Sequence, residues 1–404
     1  MTALSPRIPG RRLLHSPGPT PVPDAVLHAM SRQPMDLGDP RVDALIAACE
    51  SGLKRLLQTT EADVFMYAAN GHGAWEAVIQ NLADMGETVL VPGTGHFSEQ
   101  WAAQTEALGR RVKATPWHEG WPIDAEAVEQ VLRDDRRHTI KAVFTVHTDT
   151  SSGVTSDLSA IRRAIDDAGH PAILVADVVA SLGAAPFAMD ALGVDVALGA
   201  SQKGLMCPPG AAFVAVNARA LAVAKANPTP RFYWDWVRRK SDLSYRKFCG
   251  TAPQNLLMGL EAALVLLFQE GMDQVFARHR ALAGAVHAAV EGWAEGGELG
   301  FFAKTADCRS TSVTTITVPA GTDVDAMREV ARERFQVAIA GALGPLNGRG
   351  FRIGHLGDCN AAMILGAIAG IEAALRVQGI AVGQGGTRRA VEALARCGIE
   401  GARA

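Results

Sequence analysis

The stretch that decides the fold is residues 173–209, ILVADVVASLGAAPFAMDALGVDVALGASQKGLMCPP. It opens with a short apolar run that stops at Asp177, which predicts a buried strand of a parallel sheet with the acid at its carboxyl end. A second apolar run over residues 194–198 predicts another strand, and a Ser-Gln-Lys turn ending at Lys203 follows it. Open α/β sheets bind ligands at the carboxyl ends of their strands. We therefore expect Asp177 and Lys203 to face one site.

A lysine and a carboxylate at neighbouring strand ends suit the chemistry of pyridoxal 5′-phosphate (PLP). A lysine amine forms a Schiff base with this cofactor, and an aspartate keeps the pyridine nitrogen protonated so that the ring draws electrons from the substrate carbon. Lys203 and Asp177 are the candidates for these roles. By spacing alone the pair also fits a phosphate or nucleotide site, and either residue could be a solvated charge or a cap.

The blocks DVVASLG at residues 177–183 and SQKGLMCPPG at residues 201–210 resemble class V PLP-dependent aminotransferases of the alanine:glyoxylate and serine:glyoxylate type. The resemblance covers nearly the whole chain. It implies fold type I of the PLP-dependent transferases and a homodimer with its active site at the subunit interface. It also implies that the PGPT segment at residues 17–20 lies over the active site.

Composition sets the broad class. The 404 residues carry a net charge of −3 and are 48% hydrophobic, which suits a large and a smaller domain. The aromatic and basic segment 230–247 is short and contains acids, so it predicts a loop at the active-site mouth or dimer interface and no nucleic-acid site. Apolar runs fall short of the roughly 20 residues that a bilayer span needs. Six cysteines without a CxxC pair predict reduced thiols, no metal and a cytoplasmic enzyme.

Strand-like runs alternate with amphipathic stretches up to about residue 253, which predicts an α/β fold with a mostly parallel sheet. The predicted strands are 64–68, 88–91, 111–114, 142–147, 173–177, 194–199 and 211–216. The predicted helices between them are 74–85, 98–108, 125–133 and 159–168. Beyond them we expect one long helix from 254 to about Trp293, strands at 312–318 and 351–354, and a helix at 361–377. The predicted domains are an arm at 1–24, a large PLP-binding domain at 25–280 and a small α+β domain at 281–404.

The segment YAANGHGAWE, residues 67–76, predicts a strand, a glycine turn and the start of a helix whose first N–H groups can hold a phosphate. The pattern also fits an ordinary βα turn, and the spacing of a dinucleotide fingerprint fails. The resemblance implies that the amides of Gly71 and His72 hold the cofactor phosphate. Asn70 stands where a serine is common in the family.

Further side chains complete the cofactor site that the resemblance implies. Ser181 and Gln202 are expected at the phosphate, although either could serve only its turn. Phe97 is expected to stack on the pyridine ring, and Ser151 to bond the ring hydroxyl. Asp149 replaces the usual glutamate of this block, and the cluster could also be a helix cap.

Two positions concern the neighbouring subunit and the substrate. Thr251 is where such dimers donate a threonine to the phosphate of the other subunit, and Phe248 replaces the tyrosine often found three residues earlier. Arg352 lies in an apolar strand, where a charge is costly unless it is paired. A guanidinium binds a carboxylate bidentately, and the resemblance assigns Arg352 to the substrate carboxylate. The alternative is a structural salt bridge.

The sequence therefore predicts an aminotransferase that moves an amino group from a small L-amino acid of the serine, alanine or aspartate class to a 2-oxo acid such as glyoxylate or pyruvate. Three alternatives stay open. One is a lyase of the cysteine desulfurase kind, for which Cys359 is the candidate nucleophile. Another is an aminotransferase for an unusual amine. The last is a non-catalytic binding protein, which the presence of Lys203, Asp177 and Arg352 together disfavours.

Overall fold

The computed structural model describes residues 10–397, so residues 1–9 of the predicted arm and 398–404 of the predicted small domain lie outside the described residues. The strands are β1 (Leu13–His15), β2 (Asp63–Ala68), β3 (Thr88–Pro92), β4 (Arg111–Thr115), β5 (Ile140–Val146), β6 (Thr148–Asp149), β7 (Val154–Thr155), β8 (Ile173–Asp177), β9 (Val196–Ala200), β10 (Ala211–Val216), β11 (Gly300–Phe301), β12 (Val313–Thr317), β13 (Val337–Gly341) and β14 (Gly350–Gly354). The α-helices are α1 (Asp24–Met30), α2 (Pro40–Leu57), α3 (Gly71–Leu82), α4 (His96–Ala107), α5 (Ala125–Asp134), α6 (Leu158–Asp167), α7 (Ala218–Ala226), α8 (Trp236–Arg239), α9 (Ser244–Lys247), α10 (Gln254–Glu270), α11 (Met272–Ala294), α12 (Val324–Arg334), α13 (Ala361–Val377) and α14 (Gly386–Arg396).

A seven-stranded sheet in the order β2-β10-β9-β8-β5-β3-β4 forms the centre of the molecule. Each of the seven strands predicted between residues 64 and 216 belongs to it. β10 runs antiparallel to β2 and β9, whereas the other four strand contacts are parallel. Because helices cover both faces, β8 is buried along its whole length and reads as a continuous apolar run. The prediction of an α/β fold with a mostly parallel sheet is confirmed.

A second sheet has the order β1-β13-β14-β12-β11. Its first strand comes from the N-terminal arm, where Leu13 pairs in parallel with Val337 of β13. The remaining strands lie near the C-terminus, with β14 antiparallel to β12 and β13. The arm is therefore extended, as predicted, and one part of it belongs to the small sheet.

Three large apolar clusters fill the protein. Two of them cover the two faces of the large sheet, and the third lies beneath the small sheet and includes α13 and α14. Along α11 the packing changes between Val275, which belongs to a large-sheet cluster, and Ala281, which belongs to the third cluster. The domain boundary near residue 280 stays a prediction, and this change of packing supports it.

The prediction of one long helix from residue 254 to about 293 is wrong. Two helices, α10 and α11, meet at Gly271 and are bent by 86°. Gly271 adopts φ +86°, a left-handed conformation that suits a residue without a Cβ, and it ends the first helix there. Among the described residues no single helix is long and apolar enough to cross a membrane. The bent pair α10 and α11, taken together, has the length and the apolar composition of a membrane span.

Two glycines, one in the central sheet and one in a helix, test how tightly the protein is packed around them. A Cβ on Gly199 of β9 would lie 2.3 Å from the Phe213 ring of β10, so Gly199→Ala should overpack the sheet and lower the free energy of unfolding by roughly 1–3 kcal/mol. A Cβ on Gly284 of α11 would have no heavy atom within 4 Å. Gly284→Ala should therefore raise the free energy of unfolding by roughly 0.5–1 kcal/mol, because alanine favours the helix over glycine. Urea unfolding of both variants checks this, and effects of equal sign would contradict it.

Candidate active site

A cavity of about 320 Å³ opens at the carboxyl edge of the large sheet. Asp177 at the end of β8, Val146 at the end of β5 and Lys203 in the turn after β9 line it. The start of α3, which follows β2, forms a further wall. The same edge of the sheet therefore collects residues from four strand ends, the place where open α/β sheets bind ligands.

Lys203 lies under the PGPT segment. Its Nζ donates to the Pro17 carbonyl at 2.5 Å, while Thr20 Oγ1 donates to the Lys203 carbonyl at 3.0 Å. A Cβ on Gly18, which adopts φ +134°, would lie 2.6 Å from the Lys203 Cδ and Cε atoms. Only glycine allows this approach, so the segment packs directly on the lysine side chain.

Burial changes the proton affinity of this amine. Lys203 is 8% exposed. Burial, followed by the charge of Arg352, lowers the pKa of Lys203 to about 8, against the opposing effects of Asp177 and Asp149. A lysine with this pKa gives up its proton far more readily than an exposed one, which a nucleophile or a general base requires.

Asp177 is fixed on both oxygens. Its Oδ2 accepts from Trp75 Nε1 at 2.8 Å and its Oδ1 accepts from the Val179 amide at 2.8 Å. Burial raises the pKa of Asp177 to about 6, although these two hydrogen bonds and Lys203 favour the ionised form. The carboxyl group is therefore still largely ionised at neutral pH, inside the same cavity as the lysine.

The start of α3 provides donors for an anion. Asn70 caps the helix by accepting from the Gly73 amide at 3.3 Å, a role that asparagine fills as well as serine. The amides of Gly71 and His72 are the first two of the helix, which no carbonyl of the helix itself can bind. Both residues line the cavity, as does Gln202. The free amides of Gly71 and His72 fit a bound phosphate, whereas the atom of Gln202 that has no partner among the described residues, Oε1, is an acceptor and does not by itself support a phosphate contact.

The block after β5 departs from the residue roles that the sequence predicted. Thr148 and Thr150 line the cavity, whereas Ser151 does not. Ser151 Oγ instead donates to Asp149 Oδ1 at 2.5 Å and accepts from the His96 amide at 3.0 Å. Residues 150–153 form a turn after β6, closed by a hydrogen bond from the Gly153 amide to the Asp149 carbonyl, and this turn decides which hydroxyl groups face the cavity. No local sequence signal singles out Thr150.

Asp149 holds the start of α4. Its Oδ2 accepts from the Phe97 amide at 3.0 Å and from Thr94 Oγ1 at 3.3 Å. A carboxylate at a helix N-terminus satisfies free amides and complements the helix dipole. The Phe97 ring lines the cavity and meets the Trp75 ring edge-on at 6.4 Å between centroids. The shorter acid thus positions the aromatic wall.

Ser181 is not brought to the cavity. Its Oγ lies 2.8 Å from His147 Nδ1, and the residue is buried behind the lining. Its expected phosphate contact stays a prediction that this geometry does not favour.

Arg352 lies in the middle of β14, between β12 and β13. Its Nε donates to the Gly341 carbonyl at 2.7 Å and its Nη1 to the Thr150 carbonyl at 2.9 Å. No carboxylate of the described residues forms an ion pair with it, which disfavours the structural salt bridge. Burial lowers the pKa of Arg352 to about 10. The guanidinium is therefore a buried cation one residue away from the cavity lining.

Two predicted positions lie outside the cavity. Thr251 is exposed after α9, so within one chain it does not contribute to the site. Phe248 is buried in a large-sheet cluster, with the Arg239 guanidinium 5.8 Å from its ring centroid. Phe248 is thus a packing residue, for which a hydroxyl group is not needed.

Comparison with known proteins identifies the family. Residues 12–344 match the family model described as aminotransferase class V. The chain belongs to the class V aminotransferases. The serine–glyoxylate aminotransferase of Methylorubrum extorquens is 38% identical over 384 residues, 94% of each chain. The L-aspartate–glyoxylate aminotransferase of Paracoccus denitrificans is 36% identical over 368 residues, 91% of each chain.

A solved structure supports the same assignment. The ureidoglycine–glyoxylate aminotransferase of Bacillus subtilis superposes with a TM-score of 0.87 at 27% identity, covering 97% of this chain and 100% of that one. This class V aminotransferase therefore shares both its sequence family and its fold with enzymes that are named for glyoxylate.

Because the carboxyl group of Asp177 is buried, we predict that the free energy of unfolding depends on pH. Its folded-state pKa of about 6 exceeds the ordinary value of 3.8, so the native state binds the proton more tightly than the unfolded state. Its favourable contribution to folding is full below pH 3.8 and is lost as the pH rises through about 6, a loss on the order of 3 kcal/mol.

The variant Asp177→Asn removes this titration. We expect the difference in free energy of unfolding between the variant and the wild type, measured on cofactor-free protein by urea titration, to grow in favour of the variant from about pH 4 to about pH 7. A difference that stays constant over this range would contradict the burial of an ionised carboxylate.

Proposed function

We propose that this class V aminotransferase uses PLP to move an amino group from a small L-amino acid to a 2-oxo acid such as glyoxylate or pyruvate. The observation that carries the proposal is the shared cavity: Lys203 and Asp177 line it together with the first residues of α3. When bound, PLP supplies an aldehyde that condenses with amines and a ring that withdraws electrons.

The residues present fit this cofactor. The amides of Gly71 and His72 would hold its phosphate, and Gln202, which lines the same cavity, would bond the phosphate through its amide NH₂ group. Asp177 would hold the proton of the ring nitrogen, since a largely ionised carboxylate accepts that hydrogen bond at neutral pH. The Phe97 ring would form the wall against which the pyridine stacks.

Lys203 is the residue that would bind the cofactor covalently and then act as general acid and base. Its lowered pKa makes both forms of the amine accessible near neutral pH. The Pro17 carbonyl accepts from Nζ and so provides a defined position for the amine when it is free. Proton transfer at the substrate α-carbon is the task that we assign to it.

Arg352 would bind the substrate carboxylate. Two backbone carbonyls orient its guanidinium, and no protein carboxylate of the described residues neutralises it. A buried cation without an anionic partner is costly, so an anionic substrate fits the charge. Thr150, whose carbonyl binds Arg352, carries its side chain into the cavity and links the two sites.

A homodimer is part of the proposal. The segment before and around α9 exposes the large apolar side chains Phe232, Leu243 and Tyr245, and Thr251 is exposed beside them. Exposed apolar groups clustered on one segment are typical of a contact surface. We propose that a second copy covers this surface and receives Thr251 at its phosphate site. A cytoplasmic location stays a prediction; the six cysteines are free thiols.

Cys359, the candidate nucleophile of the desulfurase alternative, does not suit that role. Cys359 is 4% exposed and packs in the apolar cluster under the small sheet. Burial raises the pKa of its thiol to about 11, whereas a nucleophilic cysteine needs an exposed, ionised sulfur. An aminotransferase for an unusual amine remains compatible with the cavity, because the donor is selected by its shape.

The first test measures colour and turnover. The purified protein should be yellow with PLP and should consume glyoxylate or pyruvate with L-serine, L-alanine or L-aspartate as donor. Lys203→Ala should lose the visible absorption and at least about 10³-fold in rate, whereas Lys225→Ala, at an exposed position of α7, should keep both.

A matrix of donors against glyoxylate, pyruvate and 2-oxoglutarate identifies the substrates. Release of sulfide or carbon dioxide without amino transfer would favour a lyase, and a colourless protein that ignores added PLP would overturn the proposal.

A second test concerns Arg352. Lysine keeps the charge but cannot form two parallel hydrogen bonds, so Arg352→Lys should raise KM for donor and acceptor about 10- to 100-fold while the cofactor absorption is retained. Arg278→Lys is the matched control, because Arg278 also donates to two backbone carbonyls, those of Gly357 and Cys359, but lines neither this cavity nor the neighbouring one that Arg352 lines. Equal effects of the two variants would contradict a carboxylate site at Arg352.

A further inference from the structure

Trp75 contacts the most important acid of the site. It lies in the second turn of α3, is 2% exposed and lines the cavity. Its indole N–H donates to Asp177 Oδ2 at 2.8 Å. The sequence pattern gave this residue no role beyond the helix start.

The hydrogen bond restricts how the carboxylate can turn. A carboxylate offers about four acceptor positions on its two oxygens. Trp75 occupies one on Oδ2, and the Val179 amide occupies one on Oδ1. Two donors on different oxygens fix the plane of the group, and the free positions are left for a donor in the cavity that Asp177 lines.

Neighbouring rings hold the indole in turn. The Trp75 and Trp101 rings stack at 5.4 Å with an interplanar angle of 10°, and Trp101 stacks on Phe144 at 4.7 Å and 12°. The His72 ring lies 4.5 Å from the indole. Side chains packed in this way cannot leave their rotamers without opening a cavity. The direction of the N–H bond is therefore fixed by the core of the large domain.

We propose that Trp75 is a positioning residue that keeps the Asp177 carboxylate ionised and aimed at the ring nitrogen of the cofactor. This inference rests on the proposed function, because it assigns a purpose to the hydrogen bond only if PLP occupies the cavity. Trp75 would thus affect the reaction rate through Asp177, without contact to the reacting carbon of the substrate.

The electrostatic environment makes the hydrogen bond consequential. Asp149 opposes ionisation of Asp177, Lys203 favours it, and His72 and His147 are the other titratable groups beside it. Burial already raises the pKa of Asp177 to about 6. Loss of a donor that favours the ionised form raises this pKa further, toward neutral pH. A protonated carboxyl group has no negative charge with which to stabilise a protonated ring nitrogen.

The chain offers a matched control in the same stack. Trp101 is fully buried like Trp75, yet its indole N–H has no partner among the described residues. Trp75→Phe removes ring volume and a hydrogen bond to Asp177, whereas Trp101→Phe removes ring volume alone. Both variants keep an aromatic ring in the stack, so their difference isolates the hydrogen bond.

The experiment uses PLP-loaded enzyme. For Trp75→Phe we expect the acidic limb of the kcat profile, and the pH titration of the cofactor absorption, to move up by about one pH unit, with kcat about twofold lower at pH 7 and about tenfold lower well below pH 6. For Trp101→Phe we expect a lower melting temperature with both pH profiles unchanged. Identical pH profiles in the two variants would overturn the inference, whereas a wild type that binds no PLP would overturn the proposed function instead.

A measurement on folded protein covers the case in which Trp75→Phe does not fold. The chain has seven tryptophans, whose ¹⁵N-labelled indoles give separate NMR signals. In cofactor-free protein one indole signal should shift with pH as Asp177 titrates, and Asp177→Asn should abolish that titration. If no indole signal follows the pH in the wild type, the hydrogen bond does not exist in solution and the inference is wrong.

Discussion

The rest of this structure depends on one pair of groups: a lysine amine and an aspartate carboxyl group are buried in one cavity at the edge of the large sheet. Either charge alone would be costly there. Burial draws the two pKa values toward each other, to about 8 for Lys203 and about 6 for Asp177. At neutral pH the amine is thus ready to lose a proton while the acid is largely ionised. That is the combination an electron-withdrawing cofactor requires.

The fold supplies each group with a rigid support. The PGPT segment packs on the lysine, α3 carries Trp75 and the free amides that we propose hold a phosphate, and Asp149 fixes the start of α4. Arg352 arrives from the small sheet and binds a backbone carbonyl of the large domain. Residues from both sheets therefore meet at one edge, and the placement of each depends on packing far from the cavity.

The sequence predicted the central sheet well because its strands are short, apolar and bounded by turn residues. It could not place the break at Gly271, since a single glycine is tolerated inside many helices. Thr150 and Ser151 lie in the turn after β6, and the direction of each side chain in such a turn follows from its backbone geometry, which the sequence does not specify. The hydrogen bond between Ser181 and His147 joins residues 34 positions apart, a contact that no local pattern records.

β1 ends at His15 in the small sheet, and the carbonyl that accepts from Lys203 belongs to Pro17, two residues later. Two residues span at most about 7 Å, so His15 and Pro17 cannot move far apart from each other. The backbone of Ser16 also lies against Gly354 of β14, where an added Cβ would be 2.4 Å from its oxygen. A rigid shift of the small sheet would therefore move the carbonyl that accepts from Lys203, so the arm connects the small sheet mechanically to the Lys203 amine.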